Sequence, residues 1–158
     1  MSEHRELTTT ELTDLATALR ELDWSWQLAD VPALAARFGW QVVLARPNWV
    51  MLDTGLGTSS GKVHGADGRA VRIETRLTEF ATEDAEGAER IGTAFAELSA
   101  VLIAALGAPT GRPTQLRWPG PTTTVVLALS PVSVVLSLVT NDRLAQDDRN
   151  VAAGQDVS

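Results

Sequence analysis

An apolar stretch, Trp49 to Leu52, runs into Asp53-Thr54-Gly55, the segment best suited by residue type and order to do chemistry. Two such carboxylates, brought together across a pair of chains, share one proton and activate water. The plainer reading of the same residues is a strand that ends in a Thr-Gly turn. His4 and His64 are the only histidines. His64 beside Asp67 supplies a base and its orienting acid, and a serine would complete a triad. No Gly-x-Ser-x-Gly turn is there to present one. A single histidine within the folded part makes a metal site depend on carboxylates arriving from elsewhere. The glycines from Gly55 to Gly68 form neither a phosphate loop nor a dinucleotide fingerprint, although Lys62 is close by. No catalytic set, cofactor or metal is therefore expected, and Asp53 and His64 are the positions on which an enzyme would rest.

The five tryptophans suggest a different use: Trp24, Trp26, Trp40, Trp49 and Trp118. Trp40 beside Phe38 reads as core. Trp24 and Trp26 flank Ser25 between two helices, and Trp118 precedes a Pro-Gly-Pro turn. Aromatic side chains at loop edges anchor partner surfaces. The candidate protein interface is accordingly Trp24, Trp26, Trp49 and Trp118, with Asp53 and Asp67 as its acidic members.

Bulk properties narrow the partner. The formal charge is −7 and the isoelectric point near 4.7. Nucleic acid and anionic membranes both require a basic face, so neither is expected. An acidic surface steers a basic protein instead. Cysteine is absent, which excludes disulfides and thiolate chemistry. The charged start and the serine- and proline-broken run from Val125 to Val139 read as neither signal peptide nor membrane span. The expected address is the cytoplasm.

The elements that position these residues follow from periodicity. Thr8-Thr9-Thr10-Glu11 has the spacing of a capping box, and Leu12, Leu15, Ala16 and Leu19 predict a first helix to about Leu22. Asp30 is placed to cap a second helix, with Pro32 in its first turn and Gly39 at its end. Trp40 to Leu44 and Trp49 to Asp53 read as a hairpin, Gly55 to Gly61 as a flexible loop, and Asp67-Gly68 as a tight turn. Val71, Ile73, Thr75 and Leu77 then alternate with Arg72, Glu74, Arg76 and Thr78, the pattern of a half-buried strand. Thr82 or Asp84 caps a long helix with an apolar stripe of Ile91, Ala94, Phe95, Leu98, Val101, Leu102, Ala105 and Leu106. Gln115–Trp118, Thr122–Leu129 and Val132–Val139 are strands, and Asn141 or Asp142 starts a last helix. This order, α-α-β(3–4)-α-β(3)-α, predicts one α+β domain with an antiparallel sheet and helices packed on one face. Residues 1–7 and 152–158 are expected to fray.

Leu22-Asp23-Trp24-Ser25-Trp26, Asp30-Val31-Pro32-Ala33-Leu34-Ala35, Phe38-Gly39-Trp40, Asp53-Thr54-Gly55-Leu56-Gly57 and Leu138-Val139-Thr140-Asn141 together resemble a family of small acidic, uncharacterised proteins of high-GC Gram-positive bacteria. The element order is also similar to the type III secretion-chaperone fold, which implies helices against a bent antiparallel sheet. Asp53-Thr54-Gly55 resembles the catalytic turn of dimeric aspartic proteases. That family needs a flap and a second glycine-bearing loop after a strand, where this chain has a helix. Small acidic proteins of such bacteria are often immunity proteins. The expected function is therefore a non-enzymatic module that masks a basic toxin domain. A secretion chaperone, which would be a homodimer, is the alternative.

Overall fold

The computed structural model describes residues 7–152 and residue 154. His4 and most of the two ends expected to fray lie outside the described residues. Leu7, expected to fray, packs against the core.

Two helices open the chain. α1 (Thr9–Arg20) begins with the expected capping box: the Thr8 hydroxyl accepts from the Glu11 N–H at 3.0 Å, and Glu11 accepts from the Thr8 N–H at 2.9 Å. Its buried side is Leu12, Ala16 and Leu19. α2 (Val31–Phe38) ends at Gly39, whose φ of 72° suits a residue without Cβ. Asp30 stands at its N-cap, as expected, but its side chain makes no capping bond. A 3₁₀ turn, Leu28–Asp30, leads in instead, and the Asp30 carboxylate accepts from the Ser25 hydroxyl at 2.5 Å.

Four strands follow as a meander: β1 (Gln41–Arg46), β2 (Trp49–Asp53), β3 (Gly61–Ala66) and β4 (Arg69–Arg76). α3 (Ala85–Leu106) then crosses to a second meander of β5 (Thr110–Arg112), β6 (Gln115–Pro119), β7 (Thr123–Leu129) and β8 (Val134–Thr140). The strands make one eight-stranded antiparallel sheet in the order β1-β2-β3-β4-β8-β7-β6-β5. The fold is α+β, its two strand blocks separated by the long helix. β5 is the strand missing from the sequence reading. Thr-Gly-Arg between prolines reads as loop, and Gly111 fits there because a Cβ would meet the Gln115 carbonyl oxygen at 2.3 Å.

One face of the sheet carries Leu52, Val63, Ile73, Val125, Leu127, Leu136 and Leu138, and α1, α2 and α3 close over it to form the core. Trp118 belongs to this core. It is 4% exposed and donates its Nε1–H to the Gly107 carbonyl at 2.8 Å. Its expected role as a surface anchor is thereby corrected: the Pro-Gly-Pro turn follows it, but its place on β6 points it inward. The fourth helix, α4 (Asn141–Ala152), lies on the opposite face. It is held there by Leu144, an Arg72–Asp147 pair at 2.9 Å and an Arg117–Asp148 pair at 2.8 Å. Helices therefore occupy both faces, with three on the core side.

The β4 alternation holds only in part. Ile73, Thr75 and Leu77 are buried, but so is Ala70, while Val71 is half-buried. A bulge explains this: His64 pairs with Arg72 and Gly65 with Ala70, so Val71 is an extra residue. Gly65 permits the bend, since a Cβ would meet both the Arg69 carbonyl oxygen and the Leu28 side chain at 2.6 Å. Arg76, expected on the solvated side, is only 7% exposed.

Candidate functional site

The six residues expected to form an interface do not converge. Trp24 and Trp26 touch, with ring centroids 5.4 Å apart, and the Trp26 carbonyl accepts from the Ala70 N–H at 2.9 Å. Both are half-buried against the start of β4, near the exposed Asp67 of the β3–β4 turn. Asp67 and Gly68 have φ of 53° and 80°, the paired left-handed conformation of a tight hairpin turn. Trp49 stands on the other face of the sheet, with the Lys62 ammonium 4.9 Å from its ring centroid. Trp118 is internal.

Asp53 ends β2, where its Oδ1 accepts from the Gly55 N–H at 2.8 Å. The Thr54 N–H and hydroxyl both donate to Ser60 Oγ, at 2.8 and 2.9 Å. The Asp-Thr-Gly segment is thus a self-bonded turn whose carboxylate stabilises its own backbone. His64 lies 3.6 Å from Glu74 through Nε2. The adjacent His64 imidazole holds the Glu74 carboxyl below its ordinary value; burial opposes that shift, and Arg72 and Lys62 add electrostatically. Among the described residues no group of three or more His, Asp or Glu is arranged to hold a metal ion.

A concave surface lies elsewhere, between α3 and the connection that precedes it. After β4 the chain runs along the β7–β8 turn, the Leu77 N–H donating to Val134 O and the Ala81 N–H to Val132 O, both at 2.8 Å. This strap and α3 enclose a groove of about 520 Å³ with Leu77, Phe80, Ile91, Ala94 and Leu98 as its apolar lining. α3 can supply that lining because its apolar stripe is wider than the sheet requires. Gly87, Ile91, Phe95, Ser99 and Leu102 are buried, which leaves Ala94 and Leu98 beside them half-buried.

Phe80 is 61% exposed, an unusual position for a phenylalanine among polar neighbours. It is held from below by Arg76, whose guanidinium carbon is 4.1 Å from the ring centroid. Arg76 also donates to Thr78 O at 2.5 Å and to Leu56 O at 3.1 Å, tying the strap to the 54–60 loop. Its Nε is buried without a partner, and burial pulls its pKa down while Glu79 pushes it back.

The surroundings of the groove are acidic. Glu79, Glu83, Asp84, Glu86, Glu89 and Glu97 face a single arginine, Arg90, over residues 79–97. Arg90 is paired with Glu86 at 3.5 Å. Asp84 caps α3, accepting from the Gly87 N–H at 2.8 Å and from the Thr82 hydroxyl at 2.8 Å. Its carboxyl is held below the ordinary value, first by the Gly87 N–H and then by Thr82. The sequence signal for this site is Thr78-Glu79-Phe80-Ala81-Thr82-Glu83-Asp84. It sets a lone aromatic among acids, outside any helical or alternating period.

No helix among the described residues is long and apolar enough to cross a membrane. Residues 10–140 match the model of DUF6301, a family of unknown function, and the chain belongs to that family. No curated protein and no solved structure matches the chain.

Proposed function

We propose that this DUF6301 chain is a protein-binding module that receives a basic, apolar-tipped segment of its partner in the groove beside Phe80. The observation that carries the reading is Phe80 itself. A 61% exposed aromatic ring, fixed by a buried arginine and ringed by carboxylates, matches a hot spot with an acidic rim. Charge complementarity sets the partner's sign. The partner class we assign is the basic domain of a secreted toxin, which makes the chain an immunity protein.

Capture of partners by the tagged chain from its own cell lysate, at low and moderate salt, tests this. One basic protein should be retained at low salt and shed at moderate salt. Phe80→Ala should weaken its capture roughly thirtyfold, the scale of a 2 kcal/mol hot spot. It should also lower stability by about 0.5–2 kcal/mol, because the ring covers the buried Arg76 guanidinium, so capture is compared below the melting temperature of both proteins. Glu97→Arg should weaken capture as well. Toxicity of the captured protein, relieved by co-expressing the chain, would establish the immunity role. Capture indifferent to both substitutions removes the groove from the reading. A chaperone role is favoured by one feature, the open edge strand β1 with Val42 and Val43 at 40% and 43% exposure, which suits a second copy. Light scattering that gives a dimer would favour that role over a monomeric inhibitor.

A further inference from the structure

A second cavity, of about 380 Å³, opens on the other side of Leu7, between α1, α2 and the 54–60 loop. Its depth and its mouth differ in charge. Arg76 lines it and is 93% buried by difference from its 7% exposure, with no carboxylate in ion-pair contact among the described residues. Among the described residues its compensation is two backbone carbonyls, the Phe80 ring and the electrostatic pull of Glu79, and Nε has no partner. A buried charge so poorly matched gains most from a bound counter-charge.

The walls are apolar: Leu15 from α1, Leu56 from the loop, and the Phe38 and Trp40 rings. Those two rings stack with centroids 4.6 Å apart and planes 17° from parallel, which makes a flat aromatic wall. At the mouth stand Arg37, which donates through Nη1 to Asp23 O at 3.1 Å, and two acids, Glu11 and Asp14. Glu11 is engaged with the Thr8 N–H. These acids repel a multiply charged group such as a phosphate, yet leave room for one negative charge delivered to the depth.

We propose that this cavity binds a small organic monoanion, a carboxylate on an aromatic or short aliphatic body, with the carboxylate directed at Arg76. The volume is within the range of small-molecule sites. The cavity shares Leu7 with the groove, and its Arg76 carries the Phe80 ring; Ala18 lines only the cavity and Glu97 only the groove, so substitutions there let the two readings fail independently.

Calorimetric titration of the full chain with 2-naphthoate, and with naphthalenemethanol as its uncharged counterpart, tests the proposal. Naphthoate should bind at one site, and the alcohol at least about tenfold more weakly, because its hydroxyl can accept a hydrogen bond from Arg76 but brings no counter-charge and no second acceptor oxygen. Ala18→Trp fills the cavity from an exposed position of α1 and should abolish naphthoate binding while the melting temperature is kept. Glu97→Arg in the groove should leave binding unchanged. Absence of saturable binding, equal affinity for acid and alcohol, or binding that survives Ala18→Trp overturns the proposal, as does tighter binding in Glu97→Arg.

Discussion

Replacing Gly87 with alanine should destabilise the protein, although the same change elsewhere on α3 should stabilise it. Gly87 sits in the first turn of the helix, where it is buried and its N–H reaches Asp84. A Cβ there would lie 1.8 Å from the Thr82 carbonyl oxygen and 2.7 Å from the Thr82 hydroxyl. Even a tight 3.0 Å contact requires the strap to retreat by 1.2 Å, the difference between those limits, and the obstructing atom is backbone. Helix propensity favours alanine over glycine by at most about 1 kcal/mol. Overpacking against a fixed neighbour costs about 1–3 kcal/mol. The clash wins, and the net loss should be about 1–2 kcal/mol, read as a fall of roughly 2–8 °C in melting temperature for a chain of this size. Gly92, five residues on, has nothing within 4 Å of the position a Cβ would take, so Gly92→Ala should gain about 0.5–1 kcal/mol. Urea denaturation of the two variants beside the parent measures both signs. Because the strap carries Phe80, Gly87→Ala should also weaken partner capture, while Gly92→Ala should not. A Gly87→Ala protein as stable as the parent would refute the reasoning, for it would mean that the strap yields without resistance.

Trp118→Phe removes the hydrogen bond to Gly107 O and leaves part of a 4% exposed core site unfilled, so it should cost about 1–3 kcal/mol in urea unfolding. A loss under about 0.5 kcal/mol would mean that the bond contributes little. The Glu74 carboxyl is depressed in the fold, so its contribution is present above its ordinary value of 4.5 and disappears as pH falls through the lower folded value. The melting temperatures of Glu74→Gln and the parent should therefore differ from about pH 6 down to about 5 and converge below 4.5; a difference constant with pH contradicts this. Asp148→Asn removes one of the two 2.8 Å bonds to Arg117 and the charge behind the other. The carboxylate is half-exposed, so the global cost should be no more than about 1 kcal/mol. Amide exchange should nonetheless quicken along α4, none of whose residues is fully buried; unchanged exchange there would show that Leu144 and the Arg72–Asp147 pair hold the helix without the Arg117–Asp148 pair.

Elements with strong local signals are legible from the chain. The Thr8–Glu11 box, the Gly39 stop, the Trp49–Asp53 strand and the Asp67-Gly68 turn each depend on a few adjacent residues, and each is in place. What escapes depends on contacts far apart in sequence. Arg76 follows the polar side of an alternating strand, and its burial depends on the Leu56 carbonyl, 20 residues away, together with the nearby Phe80 ring. Val71 breaks its alternation because Leu28 and Arg69 crowd Gly65. α4 lies on the outer face because Arg72 and Arg117, on strands of different meanders, both reach it. The groove is hidden from a sequence reading for a related reason. Tryptophan content points to Trp24, Trp26, Trp49 and Trp118, but tryptophans are large enough to be claimed by packing. A single phenylalanine outside any period is the better indicator.

The sheet order has a consequence for how the chain reaches its native state. Every strand pair but one joins neighbours along the chain, so each meander can zip up through short loops. The exception is β4 with β8, where Arg76 pairs with Val135 and Arg72 with Val139, 59 and 67 residues apart by subtraction. Closing a loop of that length costs roughly 1.5 kcal/mol more entropy than closing one of about ten residues. That pairing should therefore form late in folding, as the seam between two half-sheets, with refolding slowed more by substitutions within a meander than by those at the seam. Damage to β4 or β8 at this seam should separate the halves and split one unfolding transition into two, whereas equal damage at β1 or β5 only shortens an edge.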